Sequence, residues 1–562
     1  MNTITEALFY FANLLDVEPR QSQRDFAFHV DKKGLNFQIQ GPCGSGKSLM
    51  LIAAILHAVH QGKKAYLATA TNDLSEQHCR DLKKAGVKHL RVMGQDNYSC
   101  YTLCEKFGIP MPERRDKYDN SGKLKWHSIS ASNLPSYKTL MNWHEWEDSI
   151  VKYHELRQNG YTKDEAVKKL CGKSEKAAKA LKAVIRCEAN YGAGFLQEVL
   201  NNVELEPFYI NYRARASAKL IVTNHHYALL MTNWDPDRAF YFDESHKLTD
   251  AMRDLLSKSL KYKDLPHLEP NQIRSILFKN KLTGEEKYKK LTRAINVDGF
   301  PDSILESLAL IKNEVEYTEN KKKDGITWAK PTKPRAESHL REVVENLEEP
   351  CLMASATPTI SWIDTQQFGD NYIDNLTYIQ VPMPTFNTGN FDDRKRMMPT
   401  REQVSKYLWE PFIEKSIELG MGMVVETSES YFPYYELFAL NDDRIELVFK
   451  QKGVRAKEFI IDIMRVLESG RTPIAITYNR EGLDINIEGV NKALLVPKPF
   501  LLNRKVQEED YGKANHPHYK RDMLMEMEQL LGRVNRNPDA TGVVFFGDTD
   551  YYHRQYIKPF LD

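Results

Sequence analysis

The stretch Leu35-Asn36-Phe37-Gln38-Ile39-Gln40-Gly41-Pro42-Cys43-Gly44-Ser45-Gly46-Lys47-Ser48 runs from a short alternating segment into a glycine-rich turn, and an apolar helical pattern follows from Leu49 to Gln61. A second apolar strand reads from Lys64 to Thr71. Strand, helix and strand at this spacing form a βαβ unit, which argues for a parallel sheet. The turn fits the P-loop pattern at every defined position, between a strand and a helix. Its glycines let backbone N–H groups turn inward onto phosphate oxygens, and the helix N-terminus favours the anion. Gly41, Gly44, Ser45 and Gly46 would cradle the phosphates of ATP. Lys47 would reach the β- and γ-phosphates, and the Ser48 hydroxyl would ligate Mg2+.

Working outward, the same apolar strand texture returns at Ala218 to Thr223 and Arg238 to Phe242. It recurs in the last third at Met421 to Glu426, Pro473 to Thr477, Ala493 to Val496 and Gly542 to Phe546. Two stretches between them differ. Residues 100–215 are charged and aromatic, with a long helical pattern from Lys163 to Glu188, and residues 248–345 are charged and read as mostly helical. The chain thus reads as two α/β lobes with two insertions in the first.

Composition narrows the class. With 41% apolar and 28% charged residues in 562, the chain has the profile of a folded protein and not of a disordered or collagenous one. Lys and Arg total 78 against 77 Asp and Glu, so any basic surface is local. The longest apolar run, Leu49 to Val59 around His57, falls short of the ~20 residues of a membrane helix. The N-terminus lacks the basic region of a secretory signal. Seven cysteines are too few for a disulfide framework, so a cytoplasmic setting is expected.

Further chemistry lies downstream. Arg238 to Phe242 is an apolar strand ending in Asp243 and Glu244. Asp243 at the strand tip can hold the magnesium shell, and Glu244 can orient and deprotonate the attacking water. Gln529-Leu530-Leu531-Gly532-Arg533-Val534-Asn535-Arg536 follows a Met-rich helical stretch. Two arginines three apart share one helix face and suit arginine fingers reaching a γ-phosphate across a cleft. Ser355-Ala356-Thr357 places small residues and hydroxyls after a short apolar run. A P-loop kinase or a nucleotide-binding scaffold would need neither paired arginines nor a second α/β lobe.

In this order, the P-loop, Asp243-Glu244-Ser245-His246, Ser355-Ala356-Thr357 and Gln529 to Arg536 resemble motifs I, II, III and VI of superfamily 2 helicases. Finer features are similar to the XPD/DinG (Rad3-like) branch. Pro19-Arg20-Gln21 resembles its Arg-Pro-x-Gln segment, with Gln21 as the nucleotide-contacting glutamine. Thr69, Thr71 and Gln77 resemble motif Ia. Gly94 to Cys100 resembles the start of the branch's iron–sulfur domain, and Thr223-Asn224 to Tyr227 the segment before motif II. Glu481-Gly482-Leu483-Asp484 with Pro499-Phe500 resembles motif V, adding Asp484 to the nucleotide site.

The resemblance implies two RecA-like parallel-sheet lobes with ATP between them. It gives residues 1–94, 216–247 and 346–375 to lobe 1 and 376–562 to lobe 2. An iron–sulfur-type insertion would span 95–215 and an Arch-like insertion 248–345. It implies an ATP-dependent helicase moving 5′ to 3′ on single-stranded DNA and unwinding duplex or fork DNA, with RNA as the other substrate to weigh.

One departure concerns the family's [4Fe–4S] cluster, which four cysteines hold. Cys100 matches the first ligand, but Glu206 stands where the last cysteine is expected. Cys104, Cys171 and Cys187 are the available partners within the insertion, and a carboxylate is a poor soft ligand. Cys171 and Cys187 would lie about 24 Å apart on one helix unless it breaks at Gly172. The domain therefore reads as vestigial and metal-free. Such a loss is similar to the DinG-like helicases of type IV CRISPR systems and of phages or plasmids, so a CRISPR or phage nucleoprotein complex is the partner implied beside DNA.

Two local basic clusters read equally as phosphate contacts or as solvated surface. Lys173, Lys176, Lys179, Lys182 and Arg186 recur every three or four positions, and Lys321, Lys322, Lys323, Lys330, Lys333 and Arg335 surround Trp328. Tyr98, Trp126, Trp143 and Trp146 read as core rather than as a strand-separating wedge, and His225 and His226 as packing or capping residues rather than metal ligands.

Overall fold

The computed structural model describes residues 2–34, 36–41, 45–112, 125–142, 144–172, 174–192, 194–232, 235–261, 265, 267–279, 282–293, 302–312, 316–319, 326–357, 360, 362–369, 375–382, 401–426, 429–440, 442–451, 456–477, 487, 490–497, 507, 510–512, 516–532 and 541–548. In chain order the strands are β1 (Gln38–Gln40), β2 (Lys64–Thr69), β3 (Leu90–Arg91), β4 (Leu220–Asn224), β5 (Arg238–Asp243), β6 (Lys258–Lys261), β7 (Glu316–Glu319), β8 (Ile326–Lys330), β9 (Cys351–Ser355), β10 (Thr365–Gln367), β11 (Leu376–Pro382), β12 (Gly422–Val425), β13 (Ile445–Lys450), β14 (Thr472–Thr477), β15 (Lys492–Val496) and β16 (Gly542–Asp548). The first lobe is a parallel sheet in the order β10-β1-β9-β5-β2-β4-β3, and the second a parallel sheet in the order β11-β16-β15-β12-β14-β13. Two parallel-sheet α/β lobes are thus the architecture, as the βαβ texture implied.

Both faces of each sheet are covered, which explains why these strands read as unbroken apolar runs. In β2 and β5, Ala65, Leu67, Ala239 and Tyr241 face the core beneath the helix Lys47–His60. Their neighbours Tyr66, Ala68, Phe240 and Phe242 enter the core on the opposite face. The second lobe repeats the alternation, with Met423, Val425, Leu494 and Val496 on one face and Val424, Ile474, Leu495 and Phe545 on the other. Each such buried Leu or Phe contributes roughly 1.5–3 kcal/mol.

Register sets the position of the site. Gln40 lies beside Ser355 and Asp243 beside Ala354, so the carboxyl ends of β1, β9 and β5 open side by side. That crevice is where open parallel sheets bind ligands.

The insertions depart from the helical expectation in two ways. The pattern from Lys163 to Glu188 breaks at Gly172, whose φ of 58° suits glycine, into helices Lys163–Cys171 and Glu175–Tyr191. The second insertion carries an antiparallel sheet in the order β6-β8-β7 in addition to its helices. Short charged strands with one buried face carry too weak a period-2 signal to stand out from a helical background. Among the described residues no helix is long and apolar enough to cross a membrane.

Candidate active site

The P-loop begins at the end of β1, where the Gly41 amide donates to the Ser355 carbonyl at 3.2 Å. A Cβ on Gly41 would lie 2.7 Å from the Ser45 hydroxyl and 3.3 Å from the Phe368 carbonyl oxygen, so a side chain there would displace its neighbours. Gly46 has φ of 78° and caps the helix Lys47–His60 in the left-handed region. A Cβ at Gly46 would collide with the Gln23 side chain. Gln23 is buried, donates to the carbonyls of Ser45 (3.2 Å) and Gly46 (3.4 Å), and accepts the Arg20 amide at 2.8 Å.

Gln21 is placed differently from expectation: it is exposed and donates to Asp25 at 2.8 Å. The glutamine against the P-loop is Gln23, three residues after Arg20. The Arg-x-x-Gln spacing was readable in the chain, but the order Pro19-Arg20 drew the alignment two residues early.

Lys47 is buried with its Nζ donating to the Gly41 carbonyl at 2.9 Å. The Ser48 hydroxyl donates to Asp243 Oδ2 at 3.4 Å. Among the described residues, the buried Ser45 hydroxyl has no hydrogen-bond partner. These residues fit a magnesium nucleotide: an ammonium, an unpartnered hydroxyl and a hydroxyl–carboxylate pair converge on one turn. Ser48 and Asp243 would hold the ion.

Asp243 ends β5 and is fixed on every side. Its Oδ1 accepts the Glu244 amide at 3.0 Å, and its Oδ2 faces the His78 Nε2 at 2.8 Å. Its carbonyl faces the His225 Nε2 at 2.8 Å. Burial pushes the His225 imidazole down to about 4, so the ring is neutral and donates Nε2–H. His225 therefore fixes the strand tip, the capping role expected for it. Glu244 adopts φ of 54°, rare for a residue with a Cβ.

His246 links the lobes. Its Nδ1 lies 3.0 Å from the Ser355 hydroxyl and 3.2 Å from Glu244 Oε2, and its Nε2 lies 2.9 Å from Gln529 Nε2. Gln529 also donates to the Thr357 hydroxyl at 2.9 Å. An amide nitrogen only donates, so His246 Nε2 accepts and Nδ1 carries the proton. One tautomer thus joins Asp243-Glu244-Ser245-His246, Ser355-Ala356-Thr357 and Gln529 in one buried chain. Gln529 lies on the helix Pro517–Leu531 of the second lobe. Arg533, Arg536, Gly44 and Asp484 lie outside the described residues.

The same helix is held to the first insertion-bearing lobe by ionic contacts. Lys333 sits between Asp250 (3.3 Å) and Asp522 (3.0 Å), and Arg521 pairs with Glu337 at 2.9 Å. Arg253 pairs with Asp510 at 2.7 Å. Burial opposes the charge of Lys333, but the two aspartates hold its ammonium well above the ordinary range. Lys330 pairs with Asp254 at 3.3 Å. These two lysines of the expected basic cluster therefore engage carboxylates. Lys321, Lys322 and Lys323 lie outside the described residues, as does the side chain of Trp328.

In the first insertion, Tyr98 and Trp126 are buried in the core, Trp146 packs at its edge, and Trp143 lies outside the described residues. Lys182 pairs with Asp164 at 2.7 Å and Arg186 donates to the Ser132 carbonyl. Lys176 and Lys179 line a groove of about 550 Å³ with Lys138, Asn142 and Trp146; Lys173 lies outside the described residues.

The residues at the cluster position do not fit a four-thiolate iron–sulfur site. Glu206 is fully buried, and its carboxylate accepts from the Tyr101 amide (2.9 Å), the Thr102 amide (3.0 Å) and the Thr102 hydroxyl (2.7 Å). The Cys100 thiol donates to the same carboxylate, whereas Cys187 donates to the Asn133 carbonyl at 2.8 Å. Burial raises every one of these thiols: Cys100 well above its usual range with Glu206 adding to it, Cys104 to about 11, Cys187 to about 12, and Cys171 upward as well. Protonated thiols bonded to oxygen are not poised as soft ligands. Glu206 instead caps the helix Tyr101–Lys106 and ties it to the helix Pro207–Ala214. Glu206→Ala is expected to destabilise this insertion by on the order of 3 kcal/mol by orphaning buried donors. Loss of hydrogen-exchange protection at the Tyr101 and Thr102 amides would report it; unchanged protection would sink this account.

No protein-family model matches the chain, and no curated protein matches it. Solved structures do. The chain is similar to a structure of S. tokodaii Xpd4 (11% identity, 96% of this chain and 97% of that chain, TM-score 0.48). It is also similar to an XPD helicase (14%, 96% and 98%, TM-score 0.48) and to a Leu-to-Val variant of S. cerevisiae Dbp5 bound to RNA and ADP BeF3 (9%, 99% and 90%, TM-score 0.40).

Proposed function

We propose that this chain is an ATP-dependent DNA helicase of the XPD/DinG (Rad3-like) kind, moving 5′ to 3′ on single-stranded DNA and separating duplexes. The observation that supports it most is Gln529. It is buried against His246 and Thr357 across the cleft from the P-loop, on the helix that leads directly to Arg533 and Arg536. A second lobe bonded to the acidic motif of the first is what a motor needs: closure of the cleft carries the arginines in, and opening withdraws them.

In this reading Lys47 binds the β- and γ-phosphates, the P-loop amides and the Ser45 hydroxyl cradle them, and Glu244 orients the attacking water and takes its proton. Magnesium, held by Ser48 and Asp243, would supply charge neutralisation across the phosphates. Strand contact is assigned to the groove rimmed by Lys138, Lys176 and Lys179, where bases can stack beside Trp146 and phosphates meet the ammonium groups.

Steady-state ATP hydrolysis with and without single-stranded DNA tests the proposal, with Arg536→Ala beside it. Strong stimulation by DNA is expected, and the variant should lose on the order of 10³-fold in turnover. Equal rates with and without the strand would overturn the motor reading. Replacing the DNA by RNA of the same sequence decides the sugar, and strand displacement from 5′- and 3′-tailed duplexes decides the polarity.

A further inference from the structure

His78 plays no part in the nucleotide chemistry described above, yet its ring reaches the centre of the site. It lies on the helix Asn72–Lys84, whose buried face is Ser75, His78 and Leu82. Its side chain is 2% exposed, and its Nε2 stands 2.8 Å from Asp243 Oδ2, itself in a side chain 5% exposed. The other ring nitrogen, Nδ1, is buried with no partner among the described residues. His225 bonds the backbone carbonyl of Asp243, whereas His78 bonds the carboxylate itself.

We propose that His78 is a positioning residue for magnesium nucleotide, holding the Asp243 carboxylate in the plane that Ser48 shares. The inference rests on the nucleotide-site reading above. Asp243 stands at a strand tip, where its terminal torsion is broad and roughly two-fold. The Glu244 amide anchors Oδ1, and a second anchor on Oδ2 stops rotation. The Nε2–H of His78 supplies that anchor and leaves the outward lone pairs beside the Ser48 hydroxyl. Partners of this kind behind a metal-binding carboxylate typically contribute about 10–100-fold in metal affinity.

The test uses the full chain, a fluorescent non-hydrolysable ATP analogue and a titration of free Mg2+. His78→Leu and His78→Phe remove the N–H, and His78→Gln restores a donor of similar reach. Expected is a rise of about tenfold in the Mg2+ concentration for half-maximal nucleotide binding in the two apolar variants. Nucleotide affinity without Mg2+ should match wild type, and His78→Gln should lie within about threefold. Having two apolar variants keeps the test open if one folds poorly, since Mg2+-free binding reports the folded site. An apolar variant with normal Mg2+-free binding and wild-type Mg2+ dependence overturns the proposal, as does a glutamine variant shifted as far as leucine. If wild type itself shows no Mg2+-dependent binding, the nucleotide-site reading fails instead.

Discussion

Lys47→Ala should lower ATP turnover by about 10³-fold or more, the scale lost when a preorganised charge on a transferring phosphoryl group is removed from a dry site. Lys47 is buried, and its Nζ is held on the Gly41 carbonyl. That bond keeps the ammonium inside the turn at the cost of one neutral acceptor, so moving it onto phosphate exchanges a weak partner for a charge-assisted one. The bond to the Gly41 carbonyl contributes about 1 kcal/mol in the free protein, small against the expected loss of turnover. Nucleotide affinity should fall together with turnover, because the ammonium contacts both ground and transition states. Stopped-turnover binding with a fluorescent nucleotide separates the two quantities. Turnover within tenfold of wild type would show that the phosphate site lies elsewhere.

Most of the lobe architecture was legible because parallel strands buried on both faces read as continuous apolar runs. β2, β5, β14 and β15 fall where those runs were read. The P-loop and the acidic pair were legible because their chemistry fixes residue types at fixed spacing. What escaped is long-range partnership. His78 and Gln23 meet the site from helices whose local pattern only says that those positions are buried. His246 was quoted as part of a motif, but its role depends on Gln529, 283 positions away. The lysine clusters stayed open for the converse reason: charge periodicity in a sequence cannot say which carboxylates fold back onto it. Lys182 and Lys333 met Asp164 and Asp522, whereas Lys176 and Lys179 came to line a groove.

Glu244→Gln should cost about 10²–10⁴-fold in turnover, the usual worth of a positioned general base, while leaving nucleotide affinity within a few-fold of wild type. Its backbone lies in the left-handed region with φ of 54°, directly before the short helix Ser245–Lys247. One oxygen lies 3.2 Å from His246 Nδ1. Glutamine is the informative replacement because its carbonyl oxygen can still accept from His246 and its volume is the same. Only the capacity to take a proton from water is lost. The relay through His246 to Gln529 would then remain intact, so the variant should close on ATP and stall there. A stalled, closed form should keep its grip on single-stranded DNA in the presence of ATP, whereas wild type cycles through weak and tight states. Rapid-quench measurement of a single turnover, alongside DNA affinity with ATP bound, distinguishes this from a binding defect. If Glu244→Gln turned over normally, the base would have to be another group. If it lost nucleotide affinity instead, Glu244 would be holding the P-loop lobe together and not the water.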